Sequence, residues 1–160
     1  MFLGEQPGDQ DDLSGKPFVG PAGQLLNPAL EEAGIDRDAV YVTNTVKHFK
    51  WNPRGKRRIH QKPSSRDIAA CRPWLEAELQ IVRPKILVCL GSTAAQSIFG
   101  SGFRVTRERG KLLDSELAPR VVTTVHPSSL FRQQDEESRQ QEYELFLNNP
   151  RVAKRAAKSI

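Results

Sequence analysis

Ile86-Leu87-Val88-Cys89-Leu90-Gly91-Ser92 is the stretch that settles the architecture. Five consecutive apolar residues with no alternation read as a strand buried on both faces, and the Gly-Ser behind them opens a helical segment reaching Phe99. Val121–Val125 is a second such strand, ending in His126-Pro127-Ser128-Ser129. Met1-Phe2-Leu3, running into Gly4-Glu5-Gln6-Pro7-Gly8, reads as the end of a third. Val40, Val42 and Val46 outline a fourth across Ala39–Val46. Between the strands, Leu25, Leu26, Ala29, Leu30 and Ala33 recur at helical spacing up to Gly34, with Pro28 expected to shorten or kink the helix. Ser64 with Asp67 starts another helix, whose stripe is Ile68, Cys71, Leu75, Leu79 and Val82, and Pro73 predicts an irregularity there. Asp9–Lys16 and residues 47–63 read as loops, Phe103–Leu113 as short strands around a turn, and the end of the chain as a polar helix. Strands alternating with helices predict an α/β fold, a three-layer α/β/α sandwich around a mostly parallel sheet.

The 160 residues suit one domain, residues 1–160. Strands usually run about 5–6 residues, so Met1-Phe2-Leu3 is short, and an N-terminal segment is expected to be missing. Hydrophobic residues at 38% and charged residues at 27% exclude a disordered chain. No apolar run approaches the roughly 18 residues of a membrane span, and no signal peptide opens the chain. Two cysteines make no disulfide framework, so a reducing, cytoplasmic setting is expected; the chain is also expected to be a monomer. The net charge is +5, and seven basic residues with no acid lie between Lys47 and Lys62; the rest of the chain carries −2. Basicity gathered in one patch points to a polyanion such as nucleic acid.

Ligands of parallel α/β sheets bind beyond the carboxyl ends of the strands. Gly4–Asp9, Asn44, Gly91-Ser92 and His126–Ser129 all follow predicted strands and so converge on one edge. Gly4-Glu5-Gln6-Pro7-Gly8-Asp9 is neither a Walker loop nor GxGxxG. It is either a plain turn or a place where backbone N–H groups meet a ligand, with Glu5 and Asp9 as carboxylates. Phe18, between Pro17 and a glycine-rich stretch, is a core aromatic or a base-stacking face displayed on a loop. His126 caps a turn or serves a site. His48 packs at a loop entrance or binds metal. His60, in Lys56-Arg57-Arg58-Ile59-His60, is solvated, contacts phosphate or is catalytic. Cys89 and Cys71 both lie where core cysteines would, and no CxxC is present.

Gly4-Glu5-Gln6-Pro7-Gly8-Asp9, Pro17-Phe18-Val19-Gly20-Pro21-Ala22-Gly23, Asn44 and His126-Pro127-Ser128-Ser129-Leu130 together resemble the family-4 uracil-DNA glycosylases over nearly the whole chain. The first motif and the inserted Lys56-Arg57-Arg58-Ile59-His60 resemble the UdgX branch, whose members excise uracil and stay covalently attached to the DNA. The resemblance implies that Phe18 stacks on a flipped-out uracil, Asn44 reads its polar edge, and backbone groups around Gly4–Gln6 complete that recognition, with Asp9 also in the base site. It implies that His126 donates to the uracil carbonyl. Ser128, Ser129 and Arg132, with Lys56, Arg57 and Arg58, would hold phosphates, and Leu130 would wedge into the gap left by the base. His60 would attack the sugar, with Glu5 orienting or deprotonating it.

The same resemblance implies a 4Fe-4S cluster. Cys71 matches one cysteine ligand and His48 stands where ordinary family-4 enzymes carry another, while the N-terminal CxxC has no counterpart in this sequence. The implied partner is uracil-containing DNA, single-stranded or with the base flipped out. Two alternatives stand beside covalent capture: a hydrolytic glycosylase that leaves an abasic site, and a catalytically inactive DNA-binding fragment.

Overall fold

The computed structural model describes residues 1–159. The decisive apolar run forms β5 (Leu87–Leu90), buried throughout. It lies between β1 (Phe2–Gly4) and β7 (Ala118–Thr124), parallel to both, with Val88 opposite Phe2 on one side and Val122 on the other. β2 (Val42–Asn44) extends the sheet parallel to β1, and β6 (Leu112–Ser115) closes the far edge antiparallel to β7. The strand order is β2-β1-β5-β7-β6.

Successive side chains of a strand point to opposite faces, so β5 serves two cores. Val88 and Leu90, with Phe2 and Val42, pack on Leu26 and Leu30 of α2 (Pro21–Glu32) and on Phe146 and Leu147 of α6 (Glu136–Lys158). Leu87 and Cys89, with Leu3 and Val121, pack on Leu75 and Leu79 of α3 (Ser65–Val82) and on Ala94 and Ala95 of α4 (Ser92–Phe99). The result is the expected three-layer α/β/α sandwich. No described helix is long and apolar enough to cross a membrane.

Local expectations fail where tertiary contacts outweigh local signals. Asp9–Lys16 is not a loop: Asp9–Ser14 form α1, with three acids in the first turn and no buried residue, so no apolar periodicity marks it. Of Ala39–Val46, regular strand covers Val42–Asn44: Ala39 belongs to a 3₁₀ turn, Arg37–Ala39, while the Thr45 and Val46 N–H groups still donate to the Gly4 and Glu5 carbonyls beyond the strand. Pro28 and Pro73 both lie within continuous helices, where packing of the buried faces offsets the missing hydrogen bonds. A Ser64–Asp67 capping box does start α3. Phe103–Leu113 holds a helical turn, α5 (Val105–Glu108), before β6 begins. Residues 47–63 are largely a hairpin, β3 (Trp51–Arg54) and β4 (Arg57–His60), pairing antiparallel.

Candidate active site

The carboxyl ends of β1, β2, β5 and β7 bring Glu5, Asn44, Gly91 and His126 to one edge of the sheet. Gly4 forms the floor between two of the expected base contacts. A Cβ there would lie 2.5 Å from Asn44 Oδ1 and 2.7 Å from Phe18 Cζ. Asn44 is buried, and its Oδ1 has no hydrogen-bond partner. A buried acceptor left open is costly unless a donor arrives, so this oxygen suits a ligand N–H. Phe18 is also buried, at 4% exposure, so of the two readings its ring belongs to the core rather than to a displayed loop, while its edge borders the Gly4 floor beside Asn44. Its backbone sits at φ 54°, in the left-handed region that bulky residues avoid. The Phe18 and His126 rings lie 5.9 Å apart at 32°.

His126 approaches the end of β5 because residue 91 is glycine. Gly91 has φ 95°, and a Cβ on it would come within 3.1 Å of the His126 Cβ. The Ser128 backbone N–H donates to His126 Nδ1 at 3.2 Å, with the Ser128 hydroxyl 2.7 Å from the same nitrogen. An accepting Nδ1 leaves the proton of the neutral ring on Nε2. Burial pushes the imidazole down to about 4, against the opposing pull of the Glu5 charge. At neutral pH His126 is therefore an uncharged donor. Ser128, expected on a phosphate, is instead the partner that sets this tautomer.

The Glu5 carboxylate joins His126's surroundings to His60. His60 Nε2 lies 3.0 Å from Glu5 Oε1, and the Thr93 hydroxyl donates to Glu5 Oε2 at 2.6 Å. Burial alone would raise the Glu5 carboxyl, but the hydrogen bonds from His60 and Thr93 and the nearby imidazoles outweigh it and hold it below its ordinary value. Thr93 went unread in the sequence. The only signal was its place in the helix opening just after Gly91-Ser92.

His60 ends β4 opposite Trp51, and the hairpin that carries it is anchored by other polar residues of the first motif. The Gln6 amide donates to the carbonyls of Lys50 (3.2 Å) and Gln61 (3.1 Å) and accepts from the Lys50 N–H at 3.1 Å. Arg58 donates through Nε to Asp9 (2.6 Å) and through Nη1 to Asp12 (2.7 Å), and lies over the rings of Phe49 and Trp51. Two expectations change accordingly: the Asp9 carboxylate holds the hairpin rather than the base, and the Arg58 guanidinium is bound within the protein rather than offered to phosphate. The Gln6 side chain also holds the hairpin, which leaves open the backbone contacts expected around Gly4–Gln6. Lys56 and Arg57 are exposed and, among the described residues, form no ion pair.

The turn after β7 departs similarly. Leu130 is 1% exposed and packs in the core with α2 and α6, so it is not a free wedge; the exposed apolar side chain beside it is Phe131. Ser129 Oγ is buried without a partner, and Arg132 is exposed.

Cys71 Sγ lies 3.7 Å from His48 Nδ1 and accepts from the Lys47 N–H at 3.3 Å. No group of three or more His, Cys, Asp or Glu side chains is arranged to hold a metal ion among the described residues. A cubane iron–sulfur cluster takes four protein ligands. His48 and Cys71 supply two, so the described residues do not complete its shell. Cys89 is a core residue whose thiol burial pushes up to about 12.

Residues 1–149 match the family model described as the uracil DNA glycosylase superfamily. A type-4 uracil-DNA glycosylase of Thermotoga maritima is 40% identical over 141 residues, 87% of this chain and 69% of its own length. That of Archaeoglobus fulgidus is 36% identical over 142 residues, 84% of this chain and 68% of its own. That of Sulfurisphaera tokodaii is 41% identical over 139 residues, 81% of this chain and 59% of its own. With an edge site of this composition on an α/β/α sandwich, and with relatives of this closeness, the chain belongs to the uracil DNA glycosylase superfamily.

Proposed function

We propose that this chain excises uracil from DNA and captures the resulting sugar through His60, as in the UdgX branch. The observation that carries the reading is the 3.0 Å contact between His60 and Glu5 at the edge that also holds Phe18, Asn44 and His126. The base must leave the stack, which costs a few kcal/mol, roughly. Phe18 then offers a ring face, and the open Asn44 Oδ1 accepts the N–H of the uracil polar edge. As the C1′–N1 bond breaks, uracil keeps the electron pair, and the charge on its carbonyl oxygen meets the His126 Nε2–H. A preorganised donor of this kind contributes about 10²–10³ in rate.

The sugar becomes oxocarbenium-like, and the Glu5 anion beside it stabilises that charge. A His60 ring nitrogen gives its lone pair to C1′, forming a C–N bond where water would otherwise add. The proton on its other nitrogen passes to Glu5 or to solvent. Lys56, Arg57, Ser129 and Arg132 are the proposed phosphate contacts. His48 and Cys71 are the two side chains this chain offers toward an iron–sulfur cluster, and no step above passes through such a group.

Hydrolytic turnover is the second reading, favoured by relatives named type-4 uracil-DNA glycosylases. One experiment separates the two. The protein is incubated with a single-stranded oligonucleotide containing one uracil, with free uracil and denaturation-resistant complex both measured. Capture predicts one complex per uracil released and its loss in His60→Ala. Multiple turnovers without a complex select hydrolysis. Salt-sensitive binding without base release selects an inactive DNA-binding chain.

A further inference from the structure

We infer that Thr93 is a positioning residue that aims the Glu5 carboxylate at His60. This rests on the assignment of Glu5 and His60 as the capturing pair and adds a third member from a different element. Thr93 is the second residue of α4 and is 4% exposed. A helix-start threonine commonly caps its own backbone. Here the N-cap is Gly91, without a side-chain cap bond, and the Thr93 hydroxyl turns instead to Glu5 Oε2 at 2.6 Å. A hydroxyl has one proton to donate, and this one goes to the carboxylate.

The carboxylate needs such a partner because its terminal torsion is soft. His60 alone, on Oε1, would leave the plane free to turn. A second donor on Oε2 fixes it from the opposite side. The groups facing Glu5 are His60 from β4, His126 beyond β7 and Thr93 from α4. Of these, Thr93 is the one that carries no ionisable group and acts on the carboxylate through a single O–H donor. It stabilises the Glu5 anion without competing for the proton that His60 must shed. His126 is pledged to the leaving base.

The test measures the rate of complex formation with uracil-containing single-stranded DNA against pH, for the unsubstituted chain, Thr93→Val, Thr93→Ser, Glu5→Gln and the double variant. Thr93→Val keeps the shape and removes the donor. It is expected to slow capture at neutral pH by about tenfold, as for a lost hydrogen bond to a charged group. It should also move the acid limb of the profile to higher pH, because Glu5 loses a bond that favours its anion. Thr93→Ser should restore both. In the Glu5→Gln background Thr93→Val should add nothing, whereas a merely structural role would cost the same in either background. If Thr93→Val does not fold, Thr93→Ala replaces it, with Thr93→Ser still required to keep the unsubstituted profile. Equal rates and profiles for Thr93→Val and the unsubstituted chain, or equal costs in both backgrounds, overturn the inference alone. Uracil release with no complex in the unsubstituted chain overturns the capturing pair and this inference together.

Discussion

Glu5 Oε1 and His60 Nε2 lie 3.0 Å apart although fifty-five positions separate them in the chain. Glu5 follows β1 in the centre of the sheet, and His60 ends a hairpin with little core of its own. What brings the hairpin to the sheet edge is a set of polar anchors. Gln6 holds its base, and Arg58 ties its second strand to α1.

On the proposed capture through His60, Arg58→Ala should separate capture from excision. Without the Asp9 and Asp12 bonds the hairpin is no longer pinned beside α1, and displacement of a reacting group by about 1 Å can cost 10²-fold. Complex formation is expected to fall by at least about tenfold while uracil release falls less, since Phe18, Asn44 and His126 stand on other elements. Parallel assays of complex and free uracil on one oligonucleotide check this.

Asn44→Ala should cost activity and not stability. The substitution removes a buried oxygen that has no partner in the folded protein, so its loss carries no broken bond. Uracil release should drop by roughly two orders of magnitude, because a site built to pair a polar edge loses its partner. The melting temperature should stay level or rise. Gly4→Ala, whose added Cβ would press on both Asn44 Oδ1 and Phe18, should also abolish release, by occupying the base site.

His126 gives the fold a pH dependence of definite sign. Its imidazole takes a proton near pH 6.5 in the unfolded chain and near 4 in the folded one. Between those values the unfolded state binds more protons, so stability is intact above about pH 6.5 and falls as the pH drops toward 4. The full loss is worth roughly 3 kcal/mol. Urea unfolding across this range should show the decline, and His126→Gln should flatten it while lowering uracil release by about 10²–10³.

Lys56→Ala and Arg57→Ala should weaken binding to DNA with and without uracil alike. Both side chains are exposed at the hairpin tip, and phosphate contacts release counterions without reading bases. Each substitution should reduce the slope of log affinity against log salt by about 0.7 on single strands. Fluorescence anisotropy at several salt concentrations measures it.

The apolar run at 86–90 and the strand at 121–125 were legible as buried parallel strands, because a strand covered on both faces must be apolar at every position. Their polar carboxyl ends placed the site on one edge, and the first motif, Asn44 and His126 were found there. The hairpin was not legible. Trp51–Arg54 and Arg57–His60 are mostly exposed and have no alternation, and their pairing rests on distant bonds from Gln6 and Arg58. The same holds for Leu130 and Thr93. A leucine beside Ser-Ser reads as free until α2 and α6 close over it, and a helix-start threonine reads as a cap until Glu5 arrives from another strand. Periodicity reports which faces are buried against bulk neighbours. It carries no information about which single polar atoms meet across the chain, and those meetings are what turn this sheet edge into a site.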